Sequence, residues 1–303
     1  MATGTTRSGF ALLSPAFLVM AATLLAPLVA LIVMSFWTQN GFEVDRAFTL
    51  KNYYTLIEPG EGTVWMGIPF RLAYPVPAIL MVKSLAMSLV ATAVVILIAY
   101  PMAYFLAFRV TRNKAVWIIL LSIPFWTSYL LRVFSWKIML GFNGAINSGL
   151  KSIGLIDQPL DFLLYNPLAV MITLAHSWIA FAVLPIYVSL EKIDRTLLEA
   201  AADLGDSRWK RFRRVTLPLS MPGTIAATLL VFIPTVGDYV TPTLVGGPSG
   251  TMIGSLVQLL FTKQNDAPLG AAVSIVMMLI IAALVAIFLR AINYSRIRKR
   301  ING

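Results

Sequence analysis

The sequence predicts an all-α, polytopic membrane protein with six membrane-spanning helices and both ends on the cytoplasmic side. Three observations predict it. Of 303 residues, 58% are hydrophobic and only 12% charged, with a mean hydropathy of +0.82, far from the balance of a water-soluble domain. Six apolar runs are each long enough to cross a hydrocarbon core, which takes about 20 helical residues. The basic residues, finally, gather at one end of those runs.

The runs cover residues 11–36, 78–108, 115–140, 167–190, 217–239 and 269–289. The first is too long for a signal-peptide core, has only Arg7 ahead of it and lacks a small-residue cleavage site, so it reads as a span. The N-terminus, the 109–114 turn, the 191–216 loop and the tail from Arg290 hold 16 of the 24 Lys and Arg residues. By the positive-inside rule that side, with Arg208 to Arg214 and Arg296 to Arg300, is cytoplasmic. Pro27, Pro101, Pro124, Pro185 and Pro234 fall inside the runs; each removes a backbone donor and permits a kink, though proline is common in membrane helices.

Residues 37–77 carry Trp37, Tyr53, Tyr54, Trp65 and Tyr74 among Pro59, Pro69, Pro75 and Pro77, and read as an interfacial or extracytoplasmic cap, too short for a domain of its own. The absence of cysteine removes disulfides and thiol chemistry, and a single histidine leaves no basis for a metal site. The net charge of +11 follows from membrane topology and does not point to nucleic acid.

The 191–222 segment is polar and charged between two apolar runs. Asp194 is placed to cap a short helix running to Leu204, with Gly205 as its stop. Asp206 or Ser207 can cap a second helix over 208–214, after which Leu217-Pro218-Leu219 turns the chain into the membrane. Glu199 and Asp203, four apart, share a helical face, and three consecutive alanines offer a shallow packing surface. Charge alone favours a plain solvated loop obeying the positive-inside rule.

Spacing separates the two readings. Glu199-Ala200-Ala201, three residues, Gly205, nine residues, then Val215-Thr216-Leu217-Pro218 resembles the signature of membrane subunits of binding-protein-dependent ABC importers, with valine for isoleucine as the one departure. The resemblance implies the type I importer permease fold, one permease domain over 1–303, and a coupling-helix loop over 191–218 that docks on an ATPase subunit. Glu199, Ala200, Ala201 and Gly205 would be docking positions, with Leu217 and Pro218 completing the motif. It further implies a homologous second permease, two ATP-binding subunits that hold ATP and Mg, an extracytoplasmic substrate-binding protein, and a place in the bacterial inner membrane. No catalysis, cofactor or metal is expected in this chain, which has no Gly-x-x-x-x-Gly-Lys-Ser/Thr phosphate loop.

Pro124 to Arg132, followed by Trp136, Gly144 and Ile146-Asn147, and Phe232 to Pro242 followed by Gly246-Gly247-Pro248, are similar to the spermidine/putrescine permease group, first-permease type. That resemblance implies a polyamine or related small organic cation; an amino-acid derivative or opine-like solute is the alternative. Asp238 lies about 30 Å along its helix from the cytoplasmic start, near the outer mouth, where a carboxylate beside Tyr239 could attract an ammonium. It could equally pair with Lys83, Arg132 or Lys137. Trp126, Tyr129, His176 and Trp178 complete the candidate pathway residues, against the plainer reading of helix packing. Arg132 and Lys137 would repel a cation unless neutralised. A secondary transporter would need an intramembrane ion site and an enzyme would need clustered catalytic groups; a solitary, superficial Asp238 serves neither.

Overall fold

The computed structural model describes residues 4–58, 63–65, 68–70 and 75–301, with side chains over 13–58 and 75–292. Pro59 and Tyr74, and the side chains of Arg7, Trp65 and the basic tail from Arg296 to Arg300, lie outside the described residues. Along the chain come α1 (Gly4–Met34), the hairpin of β1 (Thr38–Asn40) and β2 (Glu43–Asp45), α2 (Lys51–Thr55), and the hairpin of β3 (Thr63–Trp65) and β4 (Ile68–Phe70). Then follow α3 (Val76–Phe108), α4 (Lys114–Trp126), α5 (Tyr129–Leu140), α6 (Ala145–Ser152) and α7 (Pro167–Glu191). The chain ends through α8 (Arg195–Asp203), α9 (Arg208–Arg211), α10 (Leu217–Val236), α11 (Ile253–Thr262) and α12 (Ala267–Ile301). Five of these stretches are continuous apolar helices of spanning length, and the bent pair led by α4 has the apolar length of a sixth.

Two compact units form, Met1–Ile79 with Leu256–Gly303, and Leu80–Ser255. In the first, α1 packs against α12. Its cap is fastened to the end of α1 by the buried Asn52, whose amide donates to the carbonyls of Ser35 (3.0 Å) and Trp37 (2.7 Å). The Tyr53 hydroxyl meets the Ser35 hydroxyl at 2.6 Å, and Phe36 stacks on Phe48 at 4.7 Å. Two backbone carbonyls are thereby satisfied where the helix ends.

The second unit is centred on α7 and α10. A Cβ on Gly223 would lie 2.3 Å from the Pro185 carbonyl oxygen and 2.4 Å from the Ser189 Cβ, so the two helices approach at a distance only glycine permits. Val95, Ala99 and Ala103 of α3 join Val183, Ile186, Ala227 and Val231 in one buried cluster. Such small and branched side chains let helices pack closely where lipid supplies no hydrophobic drive.

Two sequence expectations need correction. The 115–140 run is not one straight helix: α4 stops at Trp126 and the chain bends by 87° into the segment that α5 opens. Pro124 has no amide to continue the ladder, Thr127 is extended, and the Thr127 hydroxyl and amide both turn back to the Pro124 carbonyl. Nor does Leu217-Pro218-Leu219 turn the chain. Helix runs unbroken from Arg208 to Val236 through a widened turn over Phe212–Thr216, where the Leu217 amide reaches the Phe212 carbonyl five residues back. Widening gives the Pro218 ring room where a tight α-turn would drive it against the carbonyl four residues earlier.

Candidate functional site

The cytoplasmic loop folds as expected at its caps. Asp194 Oδ1 accepts from the Thr196 amide at 2.9 Å and starts α8; that bond holds its carboxyl below the usual carboxylate range. Gly205 ends the helix at φ +84°, a left-handed conformation costly to any residue with a Cβ. Ser207, not Asp206, caps α9, its hydroxyl accepting from the Lys210 amide at 3.4 Å. Asp206 is held by Arg214 at 3.1 Å, and the Arg211 guanidinium donates to the Leu198 carbonyl at 3.4 Å. Arg211 thereby ties α8 to the following turn and Arg214 holds the loop between the two helices, roles that charge in the sequence does not specify.

Glu199 and Ala200 are exposed on α8 while Ala201 turns inward. Leu204 and Trp209 stand 87% and 67% exposed beside them, an apolar pair on a polar knob that suits protein contact. Leu217 and Pro218 lie at the head of α10, already within the continuous helix. Behind the knob, Trp209 stacks on Phe212 at 5.4 Å, and Phe212 meets Tyr100 edge-on at 5.8 Å.

The outer junction brings together three of the six pathway candidates. Asp238 follows the last turn of α10 and is buried. Its Oδ2 accepts the Tyr129 hydroxyl at 2.5 Å, and its Oδ1 accepts the amides of Val240 (2.9 Å) and Thr241 (3.4 Å). The carboxylate therefore caps the next helical turn and ties it to the start of α5, as a capping aspartate does elsewhere. Tyr129 also meets the Thr241 hydroxyl at 2.7 Å, and its ring lies 6.3 Å from that of Trp178.

The alternative ion-pair partners of Asp238 are engaged elsewhere. Lys83 donates to the Ser249 carbonyl at 2.5 Å, Arg132 to the Ser177 carbonyl at 2.8 Å with its guanidinium 5.7 Å from the Tyr129 ring centre, and Lys137 lies over Phe134. Trp126 is 88% exposed at the bend, Tyr239 is half-exposed, and His176 is exposed on α7 with Trp136 edge-on at 5.3 Å. Thr241 had no signal in the sequence, since a threonine three residues after an aspartate is commonplace.

Comparison with known proteins fixes the family. The binding-protein-dependent transport system inner membrane component family matches residues 4–299. The spermidine/putrescine transport system permease protein PotB of Escherichia coli (strain K12) is 36% identical over 266 residues, 88% of this chain and 90% of that protein. The PotB of Haemophilus influenzae is 34% identical over 269 residues, 88% of each. A crystal structure of a bacterial ABC transporter involved in the import of alginate shares the fold, with a TM-score of 0.65, 17% identity and 97% of this chain covered. The chain belongs to the binding-protein-dependent transport system inner membrane component family and is a multi-pass, inner-membrane permease subunit of an ABC importer, not itself an enzyme.

Proposed function

We propose that this permease imports polyamines, putrescine and spermidine foremost, with ATP and Mg held by two partner ATP-binding subunits, a homologous second permease completing the channel, and an extracytoplasmic binding protein delivering solute. The observation that carries the substrate class is the 36% identity to a spermidine/putrescine permease along 88% of the chain. Coupling rests on the knob: Glu199, Ala200 and Gly205 form its docking face, Ala201 packs behind them to hold α8 in place, and Leu217 and Pro218 pass its displacement into α10. Nucleotide-driven closure of the ATPase subunits moves the knob as a rigid body and switches access between the two sides.

Of the pathway candidates, Trp126, Tyr239 and His176 have side chains free to meet solute or a partner permease. Asp238, Tyr129 and Trp178 are joined to one another in the outer junction. The exposed rings of Trp126 and Tyr239 suit an ammonium. The test is ATP hydrolysis by the reconstituted complex, stimulated by the binding protein loaded in turn with putrescine, spermidine and neutral or anionic amino-acid derivatives. Selective stimulation by polyamines is expected; stimulation by another ligand alone overturns the substrate and keeps the importer.

A further inference from the structure

Lys114 is the first residue of α4, and Glu191 is the last of α7, three residues before the cap of α8. The Lys114 ammonium donates to Glu191 Oε1 at 2.6 Å and Oε2 at 2.8 Å, and to the Ala107 carbonyl in the last turn of α3 at 3.3 Å. One cation thus joins the cytoplasmic ends of three helices at the root of the coupling knob. Asn113, left-handed at φ +59°, sets the start of α4 from which Lys114 makes these bonds.

Local energetics do not account for the pair. A carboxylate at a helix C-terminus faces the negative end of the dipole, so Glu191 is mildly unfavourable for α7 by itself. Ion pairs this accessible, 25% and 41% exposed, add little to folding. Helices α7 and α10 are already locked through Gly223, and α3 meets the widened turn through Tyr100 and Phe212. The ammonium adds a polar join between the end of α7 and the first half of the bent span.

We propose that Lys114 and Glu191 are positioning residues that transmit displacement of the coupling knob to α4 and the end of α3, so that the first half of the bent span moves with α7. The proposal rests on the docking role of α8. Since the chain has no cysteine, a Val116→Cys substitution on α4, at a 51% exposed site, gives a single reporter. Its maleimide labelling rate is measured in the full complex with and without ATP plus vanadate, a readout that needs no transported solute.

Trapping should change the rate about fivefold in this parent, in the range of ordinary site-to-site coupling. Lys114→Glu or Glu191→Lys should abolish the change, and Lys114→Arg, which keeps a donor for both Glu191 and the Ala107 carbonyl, should retain it. Where a reversed charge prevents assembly, Lys114→Gln with Glu191→Gln in assembled complex should also abolish it. No change in the parent, an undiminished change in the charge-reversal variants, or loss of the change in Lys114→Arg overturns the proposal. Glu199→Arg separates the two ideas: loss of the change there with retention in the pair variants refutes the clamp alone, whereas retention in Glu199→Arg refutes docking through α8.

Discussion

The cytoplasmic knob and the outer junction solve the same problem, ending one helix and starting another, by opposite means. At the knob, caps, stop and their partners all lie between residues 194 and 210: Asp194 serves Thr196, Gly205 breaks the helix, and Ser207 serves Lys210. At the outer junction, Asp238 caps its own following turn but is fixed by Tyr129, 109 positions earlier. The knob can therefore move as a unit with its internal bonds intact, whereas the junction holds only while α5 and the end of α10 stay together. The difference teaches where motion can be accommodated. A self-contained element transmits displacement, and a long-range network resists or gates it.

The sharpest way to break the comparison is at Gly205. Valine there meets a left-handed backbone that costs about 1–2 kcal/mol for any L-residue and more when β-branched. Gly205→Val should misdirect α9 and lower binding-protein-stimulated ATP hydrolysis by about tenfold or more in assembled complex; an unchanged rate would show that the turn is not needed for coupling. An intermediate effect is expected at the junction. Asp238→Ala and Tyr129→Phe should each destabilise by about 1 kcal/mol, with a coupling energy of similar size between them in a double-mutant cycle. Additive unfolding energies would show that the two residues act independently. The smallest effect belongs to Arg214→Ala, whose side chain is 68% exposed in its pair with Asp206. It should shift thermal unfolding by less than about 1 kcal/mol, and a larger loss would show that the knob depends on that ion pair as the junction depends on Tyr129.

The amount legible beforehand follows the same division. Apolar run length located the spans, and the Glu199 to Pro218 spacing pointed to the family, because both are local properties of the chain. The sequence leaves Asp238 between solute and three cations, and the structure gives it a tyrosine and two amides. The bend at Trp126 is not legible in hydropathy, since an apolar run reads the same whether its helix is straight or broken.

By itself the sequence determined the membrane environment, the positions of caps and stops, and the motif that places the chain among importer permeases. Hydropathy, charge and backbone conformational preference act residue by residue and leave their mark in order along the chain. Only the tertiary structure decided that Gly223 brings α7 against α10, that Tyr129 closes on Asp238, and that Lys114 reaches Glu191 and the end of α3. Those contacts join residues far apart in sequence, and their geometry exists only once the helices are packed, with no periodicity or spacing to announce it.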